Sequence, residues 1–127
     1  LDIARFGWLY ACDGFWNGSE VLPRGWVAMS SQFSPGFSRL APKDRMDRTP
    51  HAWHWWTNQA SPEHQIPTKW PDAPADTIAA LGHAGQHLFV IPSEGIVAVR
   101  MGRDREERVF ERNRFLKTLL GALRTRK

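Results

Sequence analysis

The sequence has little cysteine and no long apolar run. Cys12 is the only cysteine among 127 residues, so the chain can form neither an internal disulfide nor a thiolate cage for a metal ion. No apolar stretch approaches the ~20 residues that a membrane-spanning helix needs. The first residues also lack the charged start, short apolar core and cleavage site of a secretion signal. The sequence therefore predicts neither a membrane-spanning protein nor a visibly exported one.

The usual serine nucleophile motifs are missing as well. Neither Gly-x-Ser-x-Gly nor Ser-x-x-Lys occurs, and each would place an activated hydroxyl beside its base. The only tyrosine, Tyr10, lies in the apolar stripe of the first helical segment, and Cys12 at the end of that segment has the character of an ordinary small residue. We therefore expect any attacking atom to come from outside this chain.

What the chain does have is the composition of a packed domain with a basic tail. Hydrophobic residues make up 42% and aromatic residues 12%, too much for a disordered polymer. Residues 100–127 hold ten Arg or Lys against four Asp or Glu. Acids and bases interleaved at helical spacing favour the solvated face of an amphipathic helix. Binding of nucleic acid by this stripe is the less favoured alternative, because acids interrupt it.

The first third of the chain predicts two helices and a turn. Apolar residues at helical spacing predict a first helix over residues 2–12, and Gly14 is placed to end it. Asn17 and Gly18 favour a tight turn. Leu22 and Pro23 predict the opening of a short second helix, since proline suits a first helical turn. Residues 33–52 and 58–77 are predicted as irregular loops because prolines interrupt them.

The last third changes pattern and predicts a sheet with a helix. Three short apolar runs at residues 78–81, 86–91 and 96–101 predict a three-stranded antiparallel meander. Asp104, with Glu107 three residues later, predicts the capped start of a C-terminal helix. We expect an α+β fold in one domain over residues 1–127, with that helix covering the sheet. Its predicted buried stripe consists of Val109, Leu116, Leu119, Leu120 and Leu123.

The entry to the second strand, Gly82-His83-Ala84-Gly85-Gln86, is the most unusual local pattern. The glycines can simply accommodate a bulge or a close approach of two strands. In the functional interpretation, Gly85 lets a substrate lie against the strand, the Gln86 N–H serves as an oxyanion donor, and His83 projects into the same cleft. The spacing alone favours the structural interpretation. Histidine pairs at 51 and 54 and at 83 and 87 lack a nearby acidic ligand, so we predict no metal site.

Two longer stretches resemble a known family. The sequence LDIARFGWLYACDGFWNGSEVLPRGWV resembles a helix and the segment after it in the serine β-lactamase and penicillin-binding-protein-like hydrolases. The branch in question holds class C-like enzymes, esterases and aminohexanoate-oligomer hydrolases. The sequence GHAGQHLFVIPSEGIVAVRMG resembles the strand pair that bears that family's third catalytic motif, and HWWTN stands where an aromatic strand often precedes it. The resemblance implies a partial β-lactamase/transpeptidase-like fold.

The resemblance also implies site roles. His83, Ala84 and Gly85 match the family's His-x-Gly triplet on one wall of the active site. By resemblance, His83 helps to hold the catalytic tyrosine or the substrate, Gly85 keeps the wall flat, and Gln86 supplies the oxyanion N–H. Ala84 is expected to contact substrate, and Trp55 and Trp56 are expected to line its pocket. This acyl-enzyme chemistry needs no cofactor.

The departures from the family matter equally. Its Ser-x-x-Lys and Tyr motifs are absent, so the resemblance implies the C-terminal portion of an incomplete domain that works with its missing N-terminal part. Histidine where β-lactamases usually carry lysine favours an ester or small amide over a β-lactam as substrate, because imidazole carries less positive charge near pH 7. The alternative is a non-catalytic module in which Trp53, Trp55 and Trp56 form a platform for a sugar or peptide.

Overall fold

The computed structural model describes residues 1–34, 52–104 and 110–125. In chain order its helices and strands are α1 (Asp2–Ala11), β1 (Phe15–Trp16), β2 (Ser19–Glu20), α2 (Trp26–Ser31), β3 (Trp56–Thr57), β4 (Ile78–Gly82), β5 (Gln86–Ile91), β6 (Ile96–Met101) and α3 (Arg112–Arg124). The main sheet has four antiparallel strands in the spatial order β3-β4-β5-β6, and the two-stranded hairpin β1-β2 lies outside it. The α+β class and the three-stranded meander are confirmed, with β3 as a fourth strand.

The meander forms where its local chemistry predicts it. Its strands are rich in Val, Ile, Leu and Phe, which fit a buried pleated surface. Pro92–Glu94 forms a short helical turn, and Gly95 follows with a φ of 61°, a conformation that glycine adopts at little cost. The pairing of Ile91 with Ile96 then starts the β5–β6 ladder. Proline and glycine thus set the register of this hairpin.

Helix α1 covers one face of the sheet, but not through the whole stripe that the sequence predicts. Tyr10 is buried, whereas Ile3 and Phe6 are 47% and 50% exposed. At Gly7 the helix lies close to the sheet, since an added Cβ would lie 2.8 Å from side-chain atoms of Leu88 and Val97. The absence of a side chain at this position allows α1 to pack closely on the sheet.

Helix α3 covers the opposite face of the sheet and starts later than predicted. Its first residue is Arg112, and Asp104 instead forms an ion pair with Arg100. The predicted cap at Asp104 is therefore wrong, and the predicted residues Glu107 and Val109 lie outside the described residues. Leu116 and Leu120 are buried as predicted, but Leu123 is 38% exposed. The hydrophobic core between α3 and the sheet consists of Trp70, Ala79, Phe89, Ile91, Leu116 and Leu120.

The N-terminal segments follow the predictions closely, with one shift. Gly14 has a φ of 85° just after α1, and Asn17 and Gly18 both have positive φ in the turn between β1 and β2. Helix α2 begins at Trp26, three residues after Pro23. Among the described residues, no helix combines the length and the apolar character needed to cross a bilayer.

The loop at residues 58–77 is irregular, as predicted, but one buried side chain organises it. Asn58 is fully buried, and its Nδ2 donates to the carbonyl oxygens of Trp70, Ala73 and Pro74 at 3.0 to 3.1 Å. The Trp70 N–H donates to its Oδ1 at 2.6 Å. Because a single amide, with two N–H donors and one acceptor oxygen, contacts four backbone groups, the loop is held against the end of β3 without regular structure.

Candidate functional site

The residues singled out by the sequence form the tight turn between β4 and β5. Ala84 and Gly85 both have left-handed backbone, with φ of 53° and 78°, and the N–H of Gln86 donates to the carbonyl of His83. These are the features of a type I′ turn. The β4–β5 ladder ends at the pair Gly82 and Gln86, so His83, Ala84 and Gly85 form the connection between the two strands. Gly85 is therefore required by the turn itself.

This geometry corrects the role predicted for the Gln86 backbone. A donor for an oxyanion must point at the position where the negative oxygen develops. Here the N–H closes the turn, so Gln86 does not offer it to a cleft. Its side chain donates through Nε2 to the carbonyl of Gly102, and Oε1 is buried without a hydrogen-bond partner among the described residues.

Within the described part of the chain, the outer edge of β4 next to this turn has no strand partner and is called the open edge below. β3 pairs only with Ile78 and Ala79, and the Asn58 N–H donates to Thr77 O. Because hydrogen-bonding direction alternates along an antiparallel strand, the N–H and C=O of Leu81 point outward, away from β5. No described strand pairs with them. His83 lies two residues after Leu81 and is exposed, so this strand edge ends close to an accessible imidazole.

A shielded ion pair anchors the other side of the turn. The Arg100 guanidinium binds both carboxylate oxygens of Asp104, at 3.0 and 2.5 Å, and Nη1 also donates to Gly85 O at 2.6 Å. The Asp104 N–H donates to Ala84 O at 2.9 Å. Hydrogen bonds from Arg100 lower the pKa of Asp104, so this carboxylate stays charged at neutral pH. The prediction missed this pair because its residues belong to different segments.

The two tryptophans assigned to the substrate pocket lie on opposite faces of the sheet. Trp55 is only 3% exposed and packs in the α1 core, with its ring 4.7 Å from that of Tyr10 and 5.9 Å from that of Phe6. Trp56 faces the α3 side, where the Lys69 ammonium lies 4.6 Å from its ring centroid. The predicted pocket role of Trp55 is therefore wrong, because its ring is sealed in the core. The three-tryptophan platform fails for the same reason.

An apolar cavity of about 310 Å³ lies beside the turn on the α1 side of the sheet. Its walls combine the N-terminal end of α1 with the ends of β4, β5 and β6. Exposed apolar side chains continue from it, including Val99 at 37% and Met101 at 69%. Apolar side chains in its lining include Ile3, Phe6, Leu88, Val99 and Met101.

One Ser–His hydrogen bond occurs away from the turn. Ser61 Oγ lies 2.7 Å from His64 Nδ1, and Glu63 Oε1 lies 3.2 Å from the same nitrogen. A catalytic triad needs the serine and the carboxylate on opposite ring nitrogens, so that one orients the base for the other. Both contacts here use Nδ1, and Ser61 begins a short helical turn at Pro62–His64. The arrangement is a local side-chain contact across this short turn.

His87 is a buried histidine that the sequence interpretation treated only as a possible ligand. It is 3% exposed, with its ring 5.8 Å from that of Phe89 and 5.3 Å from that of Phe110. Neither ring nitrogen has a hydrogen-bond partner among the described residues. Burial lowers the pKa of His87 and the charges of Arg112 and Arg100 lower it further, while the Gln86 backbone and the charge of Asp104 oppose them. Within the described ranges no three His, Cys, Asp or Glu side chains are placed to hold a metal ion.

The lowered pKa of His87 predicts a pH-dependent stability. Between the folded-state pKa and about 6.5, the unfolded chain binds the proton more readily than the folded chain. The free energy of unfolding should therefore fall as pH drops below about 6.5, by ~1.4 kcal/mol for each pH unit that separates the pKa values of the folded and unfolded chain. Urea unfolding at pH 5 to 8 measures this. His87→Leu should remove the part of this pH dependence that comes from His87, and exposed His54→Leu should keep it. An unchanged pH dependence of the free energy of unfolding in His87→Leu contradicts the prediction.

Comparison with known proteins gives no family assignment. No protein-family model matches the sequence, and no curated protein matches it. The relation to β-lactamase-like hydrolases thus stays a prediction from the motifs.

Proposed function

We propose that this chain forms one wall of the active site of a serine hydrolase related to the β-lactamases, acting on an ester or small amide through an acyl-enzyme. The observation that carries the proposal is the exposed His83 at the end of the open edge of β4. In this proposal His83 holds the substrate or a catalytic hydroxyl, and Gly85 keeps the turn close to the strand. The nucleophile comes from polypeptide beyond these 127 residues.

The open edge of β4 supports this role because it offers backbone groups to an extended substrate. An exposed strand edge binds extended chains through main-chain hydrogen bonds. The outward N–H and C=O of Leu81 provide such groups two residues before His83. A substrate amide or ester held there would lie beside the imidazole, and positioning of this kind supplies much of an enzyme's rate enhancement.

The exposed apolar surface supports the need for further polypeptide. β6 is an edge strand of the described sheet, and unpaired apolar edges promote association. The cavity beside the turn adds half-exposed Ile3 and Phe6 and the exposed side chain of Met101. Contiguous apolar surface of this kind marks an interaction site. We propose that a further segment of the same hydrolase domain covers it and carries the Ser-x-x-Lys nucleophile.

The test uses a longer polypeptide that contains these 127 residues and the sequence upstream in the same reading frame. We expect it to hydrolyse p-nitrophenyl esters, and we expect His83→Ala to lower kcat/KM by about 10- to 100-fold through lost positioning. Because His83 is exposed, its replacement should leave Tm unchanged. His54→Ala, which removes another exposed histidine, is the matched control. Absence of hydrolysis, or equal kcat/KM for the two variants, contradicts the proposal.

A further inference from the structure

We propose that Arg100 and Asp104 are positioning residues that hold the turn at His83–Gly85 in its left-handed form and thereby fix His83 beside the open edge of β4. This inference rests on the proposed function for its catalytic consequence. Its structural part, the dependence of the turn on the ion pair, stands on the contacts alone.

The turn needs external support because one of its residues is poorly suited to it. Ala84 has a φ of 53°, and a residue with a Cβ pays roughly 1–2 kcal/mol for left-handed backbone. Strained conformations of this kind persist only when the surroundings determine them. Asparagine tolerates this region far better than alanine.

The Arg100 guanidinium and the backbone N–H of Asp104 supply that support through the carbonyls of the two left-handed residues. Ala84 O accepts from the Asp104 N–H, and Gly85 O accepts from Arg100 Nη1. The guanidinium is held in turn by both oxygens of Asp104. The planar fork of arginine fits such a two-pronged arrangement, whereas lysine would act as a point charge. Arg100 therefore holds Gly85, and the Asp104 backbone holds Ala84. The Asp104 carboxylate in turn holds the Arg100 guanidinium.

The surroundings leave the pair little freedom. The side chains of Arg100 and Asp104 are 27% and 21% exposed, whereas those of the surface pair Arg5 and Asp2 are 62% and 93% exposed. The Arg100 guanidinium stacks over the Phe110 ring at 4.3 Å. Cβ atoms added at Gly85 or Gly102 would collide with the guanidinium. Shielding from water strengthens an ion pair, and close packing restricts its geometry.

A second turn in the same chain indicates that such anchoring is not an ordinary requirement. Asn17 and Gly18 join β1 to β2 with φ of 49° and 78°, nearly the values at the anchored turn. Both are exposed, and a Cβ built on Gly18 meets no atom within 4 Å. This hairpin thus forms with an asparagine and a glycine in its turn and with no side chain packed against Gly18. The chain instead holds Ala84 and Gly85 in place with a shielded ion pair next to His83.

The first measurement is amide hydrogen exchange in the 127-residue chain. Arg100→Met should raise the exchange rate of the Gln86 N–H at least 10-fold relative to the N–H groups of Phe89 and Val90, because the turn opens locally while the central strand stays paired. Asp104→Asn preserves the shape of the side chain and should act in the same direction. Exposed Arg103→Met is the control and should change nothing. A Gln86 exchange rate that follows Phe89 and Val90 in both test variants overturns the inference.

The second measurement separates this inference from the proposed function. In the longer, active polypeptide, Arg100→Met should lower kcat about as much as His83→Ala, and the double variant should lose no more than the greater single loss, because both act through the same imidazole. The positioning role is overturned if the losses of the two single variants add in the double variant. It is also overturned if Arg100→Met keeps full activity while its Gln86 N–H exchanges faster. If the longer polypeptide shows no hydrolysis, the proposed function fails, while the exchange result still decides whether the ion pair holds the turn.

Discussion

Replacing Asn58 with Asp should lower the free energy of unfolding by about 4 kcal/mol. The substitution keeps the shape but replaces the donating Nδ2 with an oxygen that faces the carbonyls of Trp70, Ala73 and Pro74. Each buried polar group left unsatisfied costs about 1–3 kcal/mol, and a buried negative charge adds to this. Urea denaturation followed by tryptophan fluorescence measures the change.

Two further variants make the Asn58 result specific. Asn17→Asp changes an exposed asparagine in a turn and should alter stability by less than about 0.5 kcal/mol. Asn58→Ala should cost less than Asn58→Asp, because it removes the donor without introducing a charge. If Asn58→Asp costs less than about 1 kcal/mol, the side chain does not organise residues 58–77 as described.

Replacing Gly85 with Ala should cost about 3 kcal/mol. Left-handed backbone alone costs an alanine roughly 1 kcal/mol relative to glycine. The rest comes from collision of the new Cβ with the Arg100 guanidinium and the Asp104 carboxylate, because overpacking typically costs about 1–3 kcal/mol. Thermal and urea unfolding of the variant measure the loss.

Gly18→Ala is the matched control for Gly85→Ala. The two glycines have the same φ of 78°, but a Cβ at Gly18 meets no atom within 4 Å. It should therefore pay only the conformational cost of roughly 1 kcal/mol. Equal losses of stability for the two substitutions would mean that the side chains of Arg100 and Asp104 move aside at little cost. That result would contradict the close packing around the turn.

Strong local patterns made much of the fold predictable. The apolar runs between turn residues gave the meander, and Gly14 and the pair Asn17 and Gly18 gave the first turns. Side chains of neighbouring residues in a strand point to opposite faces of the sheet. The sequence alone could therefore have placed Trp55 and Trp56 on different faces.

Contacts between distant segments were not predictable from local patterns. Asp104 and Glu107 have the spacing of a helix cap, but the Asp104 carboxylate binds Arg100 and its backbone N–H donates to Ala84 O. The carbonyls that Asn58 binds lie 12 to 16 residues away. The periodicity of α1 predicted a helix, but the close packing of Gly7 against Leu88 and Val97 involves residues about 80 to 90 positions away.

The candidate site was predicted in part. The His83-Ala84-Gly85 pattern located a strained turn with an accessible histidine, and glycine at position 85 proved necessary to it. The direction of the Gln86 N–H depends on the left-handed backbone at Ala84, which residue type alone disfavours. The sequence therefore located the turn but not the hydrogen bonding within it.

Treatment with a fluorophosphonate probe, followed by mass mapping of the adduct, tests the central claim most directly. The probe labels activated serine nucleophiles and should be applied to the 127-residue chain and to the polypeptide extended upstream. We predict no labelling of the shorter chain and labelling of one serine of a Ser-x-x-Lys motif in the longer one. An adduct on the shorter chain, for example at Ser61 beside His64, would contradict the claim that the nucleophile lies outside it.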